Sequence, residues 1–150
     1  MTLIQHGCAI MALSAFIAVP SAAEHVASGG TVLVATLTGA AERPGPGDPD
    51  GSGSLRVTVN PGQKRICFEL TVADITAPTA AHIHIAPPTA PGPIVIPFPA
   101  PPLGASSGCV DVTSRNAAQL IAKPADYYFN VHNAEFPGGA IRGQLAKASH

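Results

Sequence analysis

Several residue types that mark particular classes of protein are scarce in this chain. Tryptophan is absent, 2 of the 150 residues are tyrosine, and charged residues make up 11%. The 8 basic and 9 acidic side chains give a formal net charge of −1, so there is no basic field and we expect no nucleic-acid partner. No apolar run reaches the roughly 20 residues that a helix needs to span a membrane.

Glycine and proline, by contrast, are abundant, with 15 and 16 residues. At this density long helices are disfavoured, and short strands joined by many turns are favoured. A chain of 150 residues is long enough for one domain with one modest core. The composition therefore indicates a single domain built from strands.

The N-terminus is typical of a secretory leader. An apolar segment at 8–19 is followed by small residues, which predicts a signal peptide over 1–23 that is cleaved after Ala23. No Lys or Arg precedes the apolar segment, and the alternative interpretation is a buried N-terminal helix. We expect a secreted or periplasmic protein with a flexible segment over 24–30 and no transmembrane segment once the leader is removed.

Removal of the leader also removes Cys8, which leaves Cys67 and Cys109. In an oxidising compartment an even pair of cysteines predicts a disulfide. It would close a loop of about 40 residues and stabilise the fold by roughly 3–4.5 kcal/mol. The alternative is a pair of buried free thiols.

Runs of apolar and β-branched residues, some of them alternating with polar ones, predict seven strands and one edge strand. They cover 31–37, 54–59, 65–72, 80–85, 94–96, 108–112, 126–133 and 140–145. One short helix is expected near 114–122, capped by Thr113 or Ser114. The pattern predicts an all-β Greek-key sandwich or barrel over 31–146, followed by a tail at 147–150.

Eight prolines lie between residues 86 and 102. Proline has no backbone N–H, so this segment cannot be a central strand. It predicts an exposed loop of polyproline type that contains the edge strand at 94–96. The sequence does not indicate a role for this loop.

Three histidines lie on two of the predicted strands. His82 and His84 are two residues apart and therefore point to the same face, and burial of Ile83 and Ile85 would direct them away from the core. On the later strand, burial of Phe129 and Val131 would direct His132 away from the core as well, and the three imidazoles converge if the two strands are neighbours. Three imidazoles suit one copper or zinc ion with an open fourth position. The alternative is a structural hydrogen-bond network without metal.

Five blocks of the chain, in this order, resemble the CHRD (chordin) domain family. They are LTGAAERP at 37–44, ICFELTV at 66–72, AAHIH at 80–84, SSGCV at 106–110 and the segment 127–145. The family occurs as repeats in chordin, an extracellular growth-factor binder, and as small secreted bacterial proteins. The resemblance implies the bacterial type, a non-catalytic binding or structural module with a protein or surface partner outside the cell. Growth-factor binding belongs to other modules of chordin and is not implied.

A weaker resemblance connects the chain with copper/zinc superoxide dismutase, a Greek-key barrel with a disulfide. AAHIH resembles the start of its signature, His132 is similarly placed to a third ligand, and Arg142 to an arginine that guides anions. The zinc loop rich in His and Asp is missing. Arg142 has a second interpretation, in which it pins a neighbouring carboxylate or carbonyl.

Three hypotheses about function follow. The first is a non-catalytic module that holds one copper or zinc ion through His82, His84 and His132. The second is a copper-dependent redox enzyme of the dismutase type, and the third is a structural surface protein without metal. No motif for a nucleophile or for an acid–base pair is present, which favours the first and third over an enzyme.

Overall fold

A computed structural model describes residues 29–149. Its strands are short segments, many of which alternate apolar and polar residues. The predicted leader at 1–23 and most of the segment at 24–30 lie outside these residues. The strands are β1 Thr31–Thr38, β2 Ser52–Asn60, β3 Arg65–Ala73, β4 Pro78–Ile85, β5 Ile94–Phe98, β6 Gly104–Asp111, β7 Tyr127–Asn133, β8 Ile141–Gln144 and β9 Ala146–Lys147.

All nine strands belong to one antiparallel sheet that is nearly closed into a barrel. Their order is β5-β4-β7-β8-β1-β2-β3-β6, and β9 pairs with β1 beside β8. The histidine strands β4 and β7 are therefore neighbours, although more than forty residues separate them in sequence. The all-β prediction with one short helix is confirmed.

The core lies inside the curved sheet and is filled by one face of most of the strands. Leu33 and Leu37 of β1, Val57 of β2 and Phe129 of β7 are fully buried there. Phe98 of β5 packs edge-on against Phe129, with ring centroids 5.2 Å apart, and against Phe68 of β3 at 5.4 Å. This edge strand therefore links two distant parts of the sheet through the core.

The helix α1 spans Ser114–Ala122, as predicted. Its start is fixed by Thr113, whose side-chain oxygen accepts a hydrogen bond of 3.1 Å from the backbone N–H of Asn116. Ala117 and Leu120 bury its apolar side. Within 29–149, no helix has the length and apolar character to cross a membrane.

Cys67 and Cys109 form a disulfide, and this prediction is confirmed. They are directly opposite each other on β3 and β6, with Cα atoms 3.9 Å apart. The link joins the edge strand β6 to the body of the sheet.

Three details of the predicted strands are wrong. β6 starts at Gly104 rather than at 108, because pairing with β3 extends through small polar residues that alone predict a loop. Ile85 is 40% exposed rather than buried, since it ends β4 next to an irregularity in the β4–β5 pairing. Residue 147, predicted as tail, lies in β9, where it pairs with Leu33.

Candidate metal centre

The strands β4, β7 and β8 carry a row of polar side chains on the face turned away from the core. Across β4 and β7, His82 lies opposite Asn130 and His84 opposite Tyr128. His132 is two residues beyond Asn130 and so lies diagonally from His82. Because side chains alternate along a strand, burial of the intervening apolar residues turns all three imidazoles to this side.

The three imidazoles are in direct contact with one another. Nδ1 of His82 lies 3.1 Å from Nε2 of His132, and one nitrogen from each ring can be chosen so that all three are within 4.8 Å of each other. His84 is buried, whereas His82 and His132 are half-buried. The group is therefore open to solvent on one side.

Two backbone carbonyls determine which ring nitrogens carry hydrogen. Nδ1 of His84 lies 2.8 Å from the carbonyl oxygen of Gly92, and Nδ1 of His132 lies 3.0 Å from that of Pro137. A carbonyl only accepts, so both Nδ1 atoms are donors, and both Nε2 atoms of the neutral rings carry a lone pair and no hydrogen. Nε2 of His84 is buried and has no hydrogen-bond partner among residues 29–149.

Burial lowers the pKa of each of the three imidazoles below the ordinary value of 6.5. The neighbouring rings lower the pKa of His82 further, and the carbonyl hydrogen bonds of His84 and His132 oppose the effect only in part. The three rings are therefore neutral at pH 7. Neutral imidazole is the form that binds a metal ion.

This donor set fits a copper or zinc ion chemically. Imidazole nitrogen suits both ions, and metal-binding histidines usually donate their other N–H to a carbonyl or carboxylate, as His84 and His132 do. Donors around a tetrahedral ion at about 2.0–2.1 Å are roughly 3.4 Å apart. The widest nitrogen pair, within 4.8 Å, reaches that separation by small side-chain rotations.

Arg142 on β8 is 1% exposed and lies beside this group. Its Nη1 donates to the carbonyl oxygen of Ala90 at 3.1 Å and its Nη2 to that of Pro87 at 3.0 Å. Its Cζ lies 3.4 Å from the centroid of the Tyr128 ring, which also stacks on His84 at 4.7 Å. These contacts support the structural interpretation of Arg142, because a guanidinium buried in this way is not presented to an anion in solvent.

The segment 86–93, here called the proline loop, is fixed above the polar row. Besides Arg142, Gln144 holds it through a hydrogen bond of 2.8 Å to the carbonyl of Ala86. The N–H of Gly92 donates to the hydroxyl of Tyr128 at 3.2 Å. A side chain at Gly92 would collide with the backbone oxygen of Ile85. The loop thus places the Gly92 carbonyl where it orients His84.

Glu42 belongs to the same region but was not predicted as part of it. It follows the short 3-10 turn Gly39–Ala41 after β1 and is 3% exposed. Within the described part of the chain its Oε1 has no hydrogen-bond partner, and a side chain at Gly139 would collide with its carboxyl group. The signal that could have indicated Glu42 was its position inside the family motif at 37–44. Membership in this motif does not by itself predict where the carboxyl group lies in the fold.

The model of the CHRD domain family matches residues 33–145. The chain belongs to this family. The match contains all three histidines, the disulfide and Arg142, and the predicted resemblance is confirmed. Neither the search of curated proteins nor the search of solved structures found a match to this CHRD chain. The likeness to superoxide dismutase therefore remains a likeness of short motifs.

Proposed function

We propose that this chain is a secreted, non-catalytic CHRD module that binds one copper or zinc ion through His82, His84 and His132. A bound ion would satisfy the imidazole nitrogens of the polar row. Through His84, which donates to the carbonyl of Gly92, it would add to the contacts that hold the proline loop. The partner outside the cell stays unidentified, because family membership alone does not name one.

The observation that carries this proposal is the lone pair on Nε2 of His84. The atom is buried, lacks a hydrogen-bond partner in the described segment 29–149, and belongs to a ring whose other nitrogen donates to the carbonyl of Gly92. Leaving a buried polar atom without a partner costs about 1–3 kcal/mol. A metal ion shared with the two neighbouring imidazoles would satisfy it.

Secretion is supported by the Cys67–Cys109 disulfide, since structural disulfides persist in oxidising compartments. N-terminal sequencing of exported protein tests the predicted secretion and cleavage after Ala23. A mature chain that starts at Glu24 is expected, and a functional protein that still begins at Met1 would contradict the prediction.

The metal site is tested by elemental analysis and by titration of the purified protein with Zn(II) and Cu(II). We expect one ion per chain at pH 7.5 and loss of binding in the double variant His82→Ala/His84→Ala. Affinity should hold down to about pH 6.5 and fall below it, as protons begin to compete for the imidazoles.

A matched control is the double variant Glu69→Ala/Thr71→Ala, which changes two exposed residues with the same spacing on β3. It should bind metal like the wild type. Wild-type protein that takes up neither ion, while it shows native folding by circular dichroism, would leave the histidines as a structural network and favour the metal-free hypothesis.

A further inference from the structure

Asn130 lies at the centre of the polar row. It is directly opposite His82 on β4 and Arg142 on β8, and it is 1% exposed. Its Oδ1 is 3.1 Å from Nε2 of His132. The amide oxygen therefore faces a nitrogen of one candidate ligand.

A count of the imidazole hydrogens shows that none of the three rings donates to this oxygen. His84 gives its hydrogen to Gly92 and His132 gives its own to Pro137. The remaining hydrogen, on Nδ1 of His82, is directed at Nε2 of His132. Three neutral imidazoles supply only three N–H groups, so Oδ1 of Asn130 and Nε2 of His84 are two acceptors with no hydrogen between them.

Glu42 gives the amide its direction. Burial raises the pKa of Glu42 to about 7, while Arg142 and a hydrogen bond from Asn130 are among the contacts that act the other way. The oxygen of Asn130 lies against His132, so its NH₂ is at the other end of the amide and is the group that can reach Glu42. The tight contact with Gly139 keeps the carboxyl group in place.

We propose that the side-chain oxygen of Asn130 is a fourth ligand of the bound ion and that Glu42 is the positioning residue that aims it. This inference rests on the proposed metal site. Three imidazole nitrogens with one amide oxygen form a set for divalent copper or zinc, whereas monovalent copper prefers thiolate and thioether sulfur. The module therefore selects a divalent ion.

The test compares the Zn(II) and Cu(II) affinities of the wild type and three variants by competition with a chromophoric chelator. Asn130→Leu removes the oxygen at similar volume and should weaken binding about 100-fold, and Glu42→Gln should weaken it roughly tenfold. Asn130→Asp keeps an oxygen ligand but replaces the NH₂ that faces Glu42, so it should lose about as much affinity as Glu42→Gln and much less than Asn130→Leu. Thr58→Val, a buried polar residue on β2, is the control and should change nothing.

Wild-type protein supplies a readout that does not depend on the folding of any variant. On titration with Zn(II), the side-chain carbonyl carbon of Asn130 should shift in the NMR spectrum of isotopically labelled protein. A carbonyl signal that does not move would overturn the inference.

The variants separate three further outcomes. If Asn130→Leu binds as tightly as the wild type, Asn130 is not a ligand although the histidine site stands. If Asn130→Asp loses as much affinity as Asn130→Leu, an oxygen at position 130 does not contribute to binding, and the inference is wrong. If the wild type binds neither ion, the proposed function is wrong, and so is the proposal of a fourth ligand.

Discussion

The two halves of the sheet both carry polar side chains on the face away from the core, but they bury them to different degrees. In the half formed by β5, β4, β7 and β8, Asn130 and Arg142 are 1% exposed under the proline loop. In the half formed by β1, β2, β3 and β6, Ser54 and Thr71 are exposed and bond to each other at 2.7 Å. The alternation of residues along each strand determines which side chains point away from the core. The segments that cover the sheet determine whether those polar groups contact water or one another.

The largest effect on stability is expected in the exposed half, which carries the covalent link. The double variant Cys67→Ala/Cys109→Ala removes a cross-link between residues 42 positions apart and should lower the free energy of unfolding by about 4 kcal/mol. Urea denaturation measures this change. Zinc affinity of the folded variant should be unchanged, and a parallel loss of affinity would show that the halves are not independent.

A smaller effect is expected from a pair of matched arginines, one in each half. Arg142→Met leaves the carbonyls of Pro87 and Ala90 without donors and should cost about 3 kcal/mol. Arg56→Met, at an exposed position of β2, should stay within about 0.5 kcal/mol of the wild type. Equal losses in urea denaturation of the two variants would contradict the difference in burial.

The smallest effect concerns pH and the buried carboxyl group of the histidine half. Its ordinary pKa of 4.5 is raised to about 7, so between these values the folded state binds more protons than the unfolded state, and stability falls as pH rises. Glu42→Gln lacks this titration. Its stability relative to the wild type should therefore increase from pH 4.5 to 7, by roughly 1–3 kcal/mol in metal-free protein.

Urea midpoints of the wild type and of Glu42→Gln at pH 4.5, 6 and 7.5 check this trend. The contributions of the three histidines have the opposite sign, because their lowered pKa values reduce stability as pH falls below 6.5. The histidine contributions are present in both proteins and therefore cancel in the stability difference between the wild type and Glu42→Gln. A difference that is constant with pH would place Glu42 in water rather than in the polar row.

Much of this arrangement was predictable because it depends on local periodicity. The alternation around Ile83, Phe129 and Val131 set the direction of the histidine side chains, and all three apolar residues are fully buried. The helix bounds followed from the Thr113 cap and from Pro124 after its end. Such signals are contained in a few neighbouring residues.

The parts that were missed depend on contacts between distant segments. Glu42 becomes buried because a turn after β1 lies beside β7 and β8, about 90 residues further along the chain. Most residues of the proline loop are exposed, as predicted, but its anchoring by Arg142 and Gln144, from a strand that follows it by about 50 residues, was missed. No pattern of neighbouring residues predicts these contacts between segments that are far apart in sequence.

The pairing of β1 with β9 has a consequence for how the module fits into longer chains. Leu33 pairs with Lys147, and the N–H of Ala148 donates to the carbonyl of Val32 at 3.1 Å. The chain thus enters and leaves the barrel side by side. A unit with adjacent ends adds little length when it is inserted into a host loop or repeated in tandem, since each copy returns the chain to its starting point.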